Sequence, residues 1–508
     1  MTPGASSSPA VAGRRVSAAA RAPRFLACAA ALLVLALSSA PARAQAPAWE
    51  RALDDAERAF RQGRYAEAER LLAGAVKQAR AFGPGDPRLA RTLTAQATLY
   101  RLLGRHAEAE PLYRRAISIL EKAAGREDAA LAGALNDLGF VRQLQGHYAE
   151  AGEIYHRALD IAGKALPPEH PLNVVMFTNL AFLYQAQGRY AEAEPLYRGA
   201  LRIAEKALGP EDAAVARTLS LLGSLYQVQG RYAEAEPLYR RALLIGQKSL
   251  GSDNPAVATS LDNLAELYRV QGRYAEAEPL YRRALAIRER TLGPEHPSVA
   301  GTLANIGLAY RDEGRYAEAE PLYRRALAIS ETAQGPGHPD VATTLNSLGE
   351  LYRIQRRYAE AEPLFRRALD IREKTLGLEH PAVATSLNNL AAIAYAAGHA
   401  AEAELLYRRA LAISEKTLGP EHPNVAGTLS NLGVALQAQG RSAEAEPLYR
   451  RALTITEKRL GPDHPRMAGI LENYADVLRK TGREAEAREA AARAQAIRAR
   501  AAGGAPSR

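Results

Sequence analysis

The stretch Gly272-Arg273-Tyr274-Ala275-Glu276-Ala277-Glu278 decides how the whole chain is read. Close copies of it begin at Gly63, Gly104, Gly146, Gly188, Gly230, Gly314, Arg356, Gly398, Gly440 and Gly482. Successive copies lie 42 residues apart, except for 41 at the first step. Fixed self-similarity at such a period marks an array of stacked units. It replaces the roughly three unrelated domains that the chain length alone would imply.

Working outward from Gly272, the residues Val257, Leu261, Leu264, Ala265 and Tyr268 fall on one face of a first helix. Gly272 is suited to the left-handed conformation that ends it. Leu280, Tyr281, Ala284 and Leu285 form the apolar stripe of a second helix beginning near Ala275, with Glu276 and Glu278 complementing its dipole and Pro279 tolerated in its first turn. Leu292-Gly293-Pro294-Glu295-His296-Pro297 closes the unit, and its second proline suits the first position of the next helix, near Ser298. One such pair buries about ten apolar side chains at roughly 1.5–3 kcal/mol each. Ordering the unit costs about 1–2 kcal/mol for every backbone residue. A unit therefore cannot fold alone, and stacking on its neighbours must supply the stability.

Leu264-Ala265-x-x-Tyr268 followed by Gly272, Tyr274, Ala277, Tyr281 and Ala284 resembles the tetratricopeptide repeat. The 42-residue period with its Leu-Gly-Pro-Glu-His-Pro connector is similar to the longer variant found in kinesin light chains and in many bacterial proteins. The resemblance runs from about Ala48 to Arg500. It implies an all-α, right-handed superhelical solenoid of stacked antiparallel helix pairs, about ten to eleven repeats long, whose concave face binds proteins or extended peptides. The cargo-binding role of kinesin light chains does not carry over, because the start of this chain reads as an export signal.

At that start, Arg14, Arg15, Arg21 and Arg24 precede the apolar run Phe25 to Leu37. Its roughly 13 residues fall short of the roughly 17–25 that a spanning helix needs, and Ala42-Arg43-Ala44 follows as a cleavage pattern. The expected organisation is a signal peptide at 1–44, a solenoid at 45–500 and a disordered tail at 501–508. The expected location is periplasmic or extracellular, with no stable membrane insertion once the signal is removed. Lys+Arg total 66 against Asp+Glu 56, and removing 1–44 takes five Arg and no acid, so 61 − 56 leaves +5. That mild bias argues against nucleic acid as a partner. The lone Cys28 excludes a disulfide framework and thiolate zinc sites.

The departures from the repeat carry expectations of their own. Trp49 and Phe60 replace the usual stripe in the first unit, as in a terminal cap, and Arg488 to Arg500 reads as a solvating capping helix. Arg356 stands where a helix-ending glycine belongs, so that turn must be strained or rearranged.

No phosphate-binding loop, His-Glu-x-x-His or Gly-x-Ser-x-Gly is present, which points to a non-enzyme without a cofactor. His170, His296, His338, His380, His422 and His464 occupy the connectors, one per unit. Equivalent residues of stacked helices lie roughly 10 Å apart, too far to share an ion, so no metal is expected and these read as turn residues beside proline. Arg pairs such as Arg282-Arg283 and Arg324-Arg325 read as a solvated outer face, with Glu278 and Arg282 paired at i,i+4. Tyr268, Tyr274, Tyr281 and their repeats read as core.

The informative variation lies on the first helix. Nine residues before the turn stand Asn179, Asn263, Asn305, Asn389, Asn431 and Asn473, with Asp137, Leu221 and Ser347 at the same place in other units. Asn offers a donor and an acceptor together, which suits the backbone of an extended peptide; these residues resemble the groove asparagines of kinesin light chains. The alternative is that they bond within the solenoid. Three residues before the turn, Arg269, Arg311 and Arg353 form a basic rung set able to grip carboxylates. Glu266 and Glu350 precede two of them by three residues, whereas Arg311 faces Leu308 and is the least compensated. The expected partner is a protein or extended peptide with an acidic residue near its centre. Two rivals are a binder of anionic polymers, nucleic acid or acidic glycan, through the outer Arg ridges, and a structural element that self-associates.

Overall fold

The computed structural model describes residues 48–502 apart from Gly63 and residues 124–127. The expected signal peptide lies outside the described residues, as do residues 503–508 of the expected tail. The described residues form 22 helices and no strand, in antiparallel pairs that follow one another along the chain. Two compact units divide between Val383 and Ala384.

The helix pair Pro255–Val270 and Tyr274–Leu292 shows how the sequence builds the array. Asn254 caps the first helix, its side chain accepting from the Ala256 N–H at 2.9 Å, and Pro255 takes the first helical position, where no N–H is needed. At the other end Gly272 adopts φ +76°, its N–H donates to the Arg269 carbonyl at 2.9 Å, and the Arg273 N–H reaches back to Tyr268 at 2.8 Å. This left-handed stop turns the chain within three residues. The second helix begins at Tyr274, one residue earlier than the dipole argument placed it, and carries Pro279 without interruption. Val257, Leu261, Leu264, Ala265 and Tyr268 face Ala277, Tyr281, Ala284 and Ile287, all buried.

Stacking is visible in the leucines of the second helix. Leu285 packs on Val299, Ala300 and Leu303 of the following unit, just as Leu243 packs on Val257, Ala258 and Leu261 and Leu327 on Val341, Ala342 and Leu345. Each unit thus covers apolar surface that its successor would otherwise expose, which is why the array and not the single pair is the folding entity.

A polar clamp repeats over the same joints, built by the arginine of the repeat motif. Arg273 lies over the Tyr268 ring, 4.0 Å from its centroid, and grips Glu276 with two bonds of 2.7 Å. Its remaining nitrogen donates at 2.9 Å to Glu236 of the preceding unit, which also accepts from the Tyr268 hydroxyl at 3.1 Å and from Arg240 at 2.8 Å. The same set recurs as Arg231 with Tyr226 and Glu194, Arg315 with Tyr310 and Glu278, and Arg357 with Tyr352 and Glu320. Burial works to raise the Glu320 carboxyl, but the bonds from Arg357, Tyr352 and Arg324 prevail and hold it at about 2.

The ends close as their composition requires. Trp49 is buried against Leu53, Ala56 and Leu72, and its ring meets Phe82 edge-on at 6.0 Å. In the second unit the final helix, Glu484–Ala502, buries Ala487, Ala490, Ala494 and Ile497 and turns its arginines outward. Arg356 is the one non-glycine residue with positive φ among those described, at +60°, and its side chain is exposed.

Candidate peptide-binding face

The six asparagines sit at one register on six of the first helices, the helices of Leu221 and Ser347 intervening, and every one is half-buried. Asn179 donates at 3.0 Å to the Asn136 side chain of the preceding unit, and Asn473 donates at 3.3 Å to Ser430 in the same sense. Asn389 also has a partner. Asn263, Asn305 and Asn431 carry no side-chain hydrogen bond among the described residues. Half-buried amides without an internal partner retain a donor and an acceptor for something external.

The arginine rung set is internally neutralised. Arg269 takes both oxygens of Glu266, at 2.7 and 2.8 Å, and also pairs with Asp312. Arg353 grips Glu350 with two bonds of 2.7 Å, the geometry that the three-residue spacing allows. Arg311, expected to be the least compensated, bonds its own neighbour Asp312 at 2.6 and 3.0 Å. All three side chains are only 11–12% exposed, so they present carbon and paired charge rather than free cations.

The same position three residues before the turn has a second use that the sequence did not disclose. Where it is glutamine, it accepts the hydroxyl of the buried tyrosine opposite: Tyr155 to Gln143 at 3.0 Å, Tyr197 to Gln185 at 3.1 Å, Tyr239 to Gln227 at 2.9 Å and Tyr449 to Gln437 at 2.6 Å. In the unit of Arg269, Tyr281 turns to Glu266 at 3.0 Å instead. A phenol closed off from water needs an acceptor, and the first helix supplies one beneath the face. Asp137, which replaces the asparagine in its unit, has a carboxyl raised to about 6, chiefly by burial, with Arg101 and a bond from Asn136 opposing the rise.

The connector histidines are helix caps. Nδ1 of His170, His296, His338, His380, His422 and His464 accepts from the backbone N–H two residues on, at 3.0–3.2 Å. Asp86, Asp128, Asp212 and Asn254 do the same work in the other units. Among the described residues no three His, Cys, Asp or Glu side chains are grouped to hold a metal ion, and no helix is long and apolar enough to cross a membrane. The outer arginines are paired as well: Arg282 with Glu278 at 2.6 Å, Arg325 with Glu289 at 2.8 Å and Arg367 with Glu331 at 2.6 Å.

Such an array of capped helix pairs, with polar side chains repeated at one register, defines a class of repeat proteins in which stacked units present an extended surface. The chain belongs to the tetratricopeptide repeat family, whose model matches residues 56–122 and, in overlapping segments from 130–206 to 424–500, nearly all the rest of the solenoid. Among solved structures it is similar to BtubC (BKLC) from P. vanneervenii, at 27% identity over 46% of this chain and 91% of that one, with a TM-score of 0.37. It is also similar to a kinesin light chain-type protein of Podosopora anserina with nearly identical TPR-like repeats, at 32% identity over 40% and 97% of the two chains, with a TM-score of 0.35. No curated protein matches the chain.

Proposed function

We propose that the chain is a non-enzymatic scaffold that binds extended peptides or partner proteins along the asparagine-lined face of its first helices. Three features support this reading: the family, which is one of protein-interaction modules; the run of half-buried asparagines; and, above all, the absence of any internal bond at Asn263, Asn305 and Asn431 among the described residues. Asn179, Asn389 and Asn473 extend the row but are partly occupied within the solenoid. Arg269, Arg311 and Arg353 contribute a preference for an acidic residue only by exchange, the peptide carboxylate displacing Glu266, Asp312 or Glu350. Backbone recognition by asparagine is accordingly the larger part of the reading, and charge selection the smaller. The basic and apolar start of the sequence supports export to the periplasm or beyond.

The test is the affinity of a captured peptide for the chain and for a variant with Asn263 and Asn305, which lie in one compact unit, replaced by Ala, with Asn431→Ala measured separately. A net 0.5–1.5 kcal/mol for each of these two lost bonds, about 1–3 kcal/mol together, corresponds to a weakening of about 5- to 160-fold. Because the bonds go to peptide backbone, the loss falls equally on peptides of unrelated sequence. Unchanged affinity, with helix content intact, removes this face from the account.

A further inference from the structure

Two connector histidines do more than cap their helices. The His380 ring lies against the turn at Gly146, where its Nε2 is 3.0 Å from the Leu144 carbonyl, a residue 236 positions away. A Cβ on Gly146 would meet His380 Cδ2 and Pro381 Cδ, each at 3.0 Å. One unit earlier the contact repeats: a Cβ on Gly104 would lie 3.1 Å from His338 Nε2. The turn glycines at 272, 314, 398 and 440, by contrast, have nothing within 4 Å of the same point. Both contacts fall within the unit spanning residues 23–383, and they tie together helix pairs that are remote in sequence.

We infer that these contacts form an acid-released clasp, closed by neutral His380 and His338 and opened when they take up a proton. The tautomer follows from the bonds. Nδ1 of His380 accepts from the Ala382 N–H at 3.0 Å, so the ring proton sits on Nε2 and is donated to the Leu144 carbonyl. A second proton has to go on Nδ1, where it meets the Ala382 N–H donor to donor and abolishes the cap. The surroundings add to the penalty. Arg372 and His147 face His380, while Arg101, His338 and His380 face His106 across the contact. Nδ1 of His106 is buried without a hydrogen-bond partner. Asp340 stands 3.7 Å from His338 Nδ1 as a carboxylate of the neighbourhood.

Burial, with lesser contributions from Arg372 and His147, depresses His380 to about 4 against the pull of the Leu144 bond; burial, with lesser contributions from Arg101, His380 and His338, does the same to His106. A group whose folded value is depressed below its unfolded value near 6.5 binds fewer protons when folded. The clasp is therefore complete above about pH 6.5 and weakens as the pH falls toward 4.

The test is a spin-label distance in the full chain, with Cys28→Ser and labels at Ala107→Cys and Ala333→Cys, both exposed positions flanking the contact. One narrow distribution is expected at pH 7.5, moving to longer distances by pH 4.5 while circular dichroism still reports intact helices. The pair His338→Asn and His380→Asn keeps both caps, as Asn254 does in its own unit, but is too short to reach across and cannot titrate; it should show the longer distance at both pH values. The single variants serve if the double one loses helix, and His296→Asn, a cap away from the contact, should behave as wild type. The inference is overturned by a distance that stays constant to pH 4.5, by helix loss that precedes the change, or by a pH response that survives in the asparagine variants.

Discussion

Replacing Arg288 by Met probes an ion pair that the array buries in its core. The Arg288 side chain is 1% exposed; it pairs with Asp262, bonds Thr302 and reaches Thr259 at 3.1 Å. The equivalent core position is small in other units, Gly246, Ser330 and Ser414, but is again a buried arginine at Arg372, which bonds the Ala382 carbonyl and Thr343. Methionine keeps most of the volume, so the perturbation is the removal of a charge from Asp262, whose Oδ1 already lacks a partner. Leaving a buried carboxylate unpaired costs about 3–5 kcal/mol, and replacing both members by neutral groups is close to neutral. In a repeat array this loss is local rather than spread over one global transition. Amide exchange followed by mass spectrometry should therefore show protection falling by about 100- to 4,000-fold in peptides covering 255–292, with distant units unaffected. Burial is the main cause that raises the Asp262 carboxyl, and Arg288 opposes it. Without the arginine the group moves further up, so the deficit should shrink as the pH falls and Asp262 is protonated. Adding Asp262→Ser should restore protection to within about tenfold. A single variant that changes protection less than threefold, or a double variant no better than the single, refutes the reasoning.

Arg356→Gly relieves an exposed residue held at φ +60° and should stabilise its joint by about 1 kcal/mol, less the extra freedom given to the unfolded chain, read as slower exchange around 340–376. Asp137→Asn restores the residue found at this register in neighbouring units. Because the Asp137 carboxyl is raised to about 6, its folded form favours the proton, so the advantage of the variant should be absent below about pH 4, grow between about pH 4 and 6 and level off above, measured by denaturation at stepped pH. Arg273→Ala removes a half-exposed clamp with two carboxylates and a ring, and should weaken the joint between the units at Gly230 and Gly272 by about 1–2 kcal/mol while leaving helix content unchanged.

The helix pairs were legible because glycine, proline and a strict period punctuate them, and because a single pair cannot bury enough to stand alone. Trp49, Arg356 and the terminal helix were readable as departures from that period. What the period hid is the work done by its constant residues. The bond from Arg273 to Glu236 crosses into the preceding unit, and the connector histidines were read only as turn residues since capping by an imidazole nitrogen leaves no spacing signature. Arg311 appeared uncompensated because residues one apart on a helix do not face each other, yet a long guanidinium folds back to Asp312. The approach of His380 to Leu144 joins residues more than five repeats apart, and no local pattern records it. The asparagine row was visible as a register; which of its members are occupied depends on partners in the preceding unit, which no spacing records.

The central claim, a peptide-binding face on the first helices, is tested most directly by site-specific photocrosslinking in native cell extract. The photoreactive residue is placed in turn at Asn263, Asn305 and Asn431, and at the exposed outer positions Arg282 and Arg324, and products are quantified by mass spectrometry. The account predicts a small common set of partners crosslinked from the three asparagine positions and absent from the outer ones. Crosslinks confined to Arg282 and Arg324, or equal from both faces, contradict it.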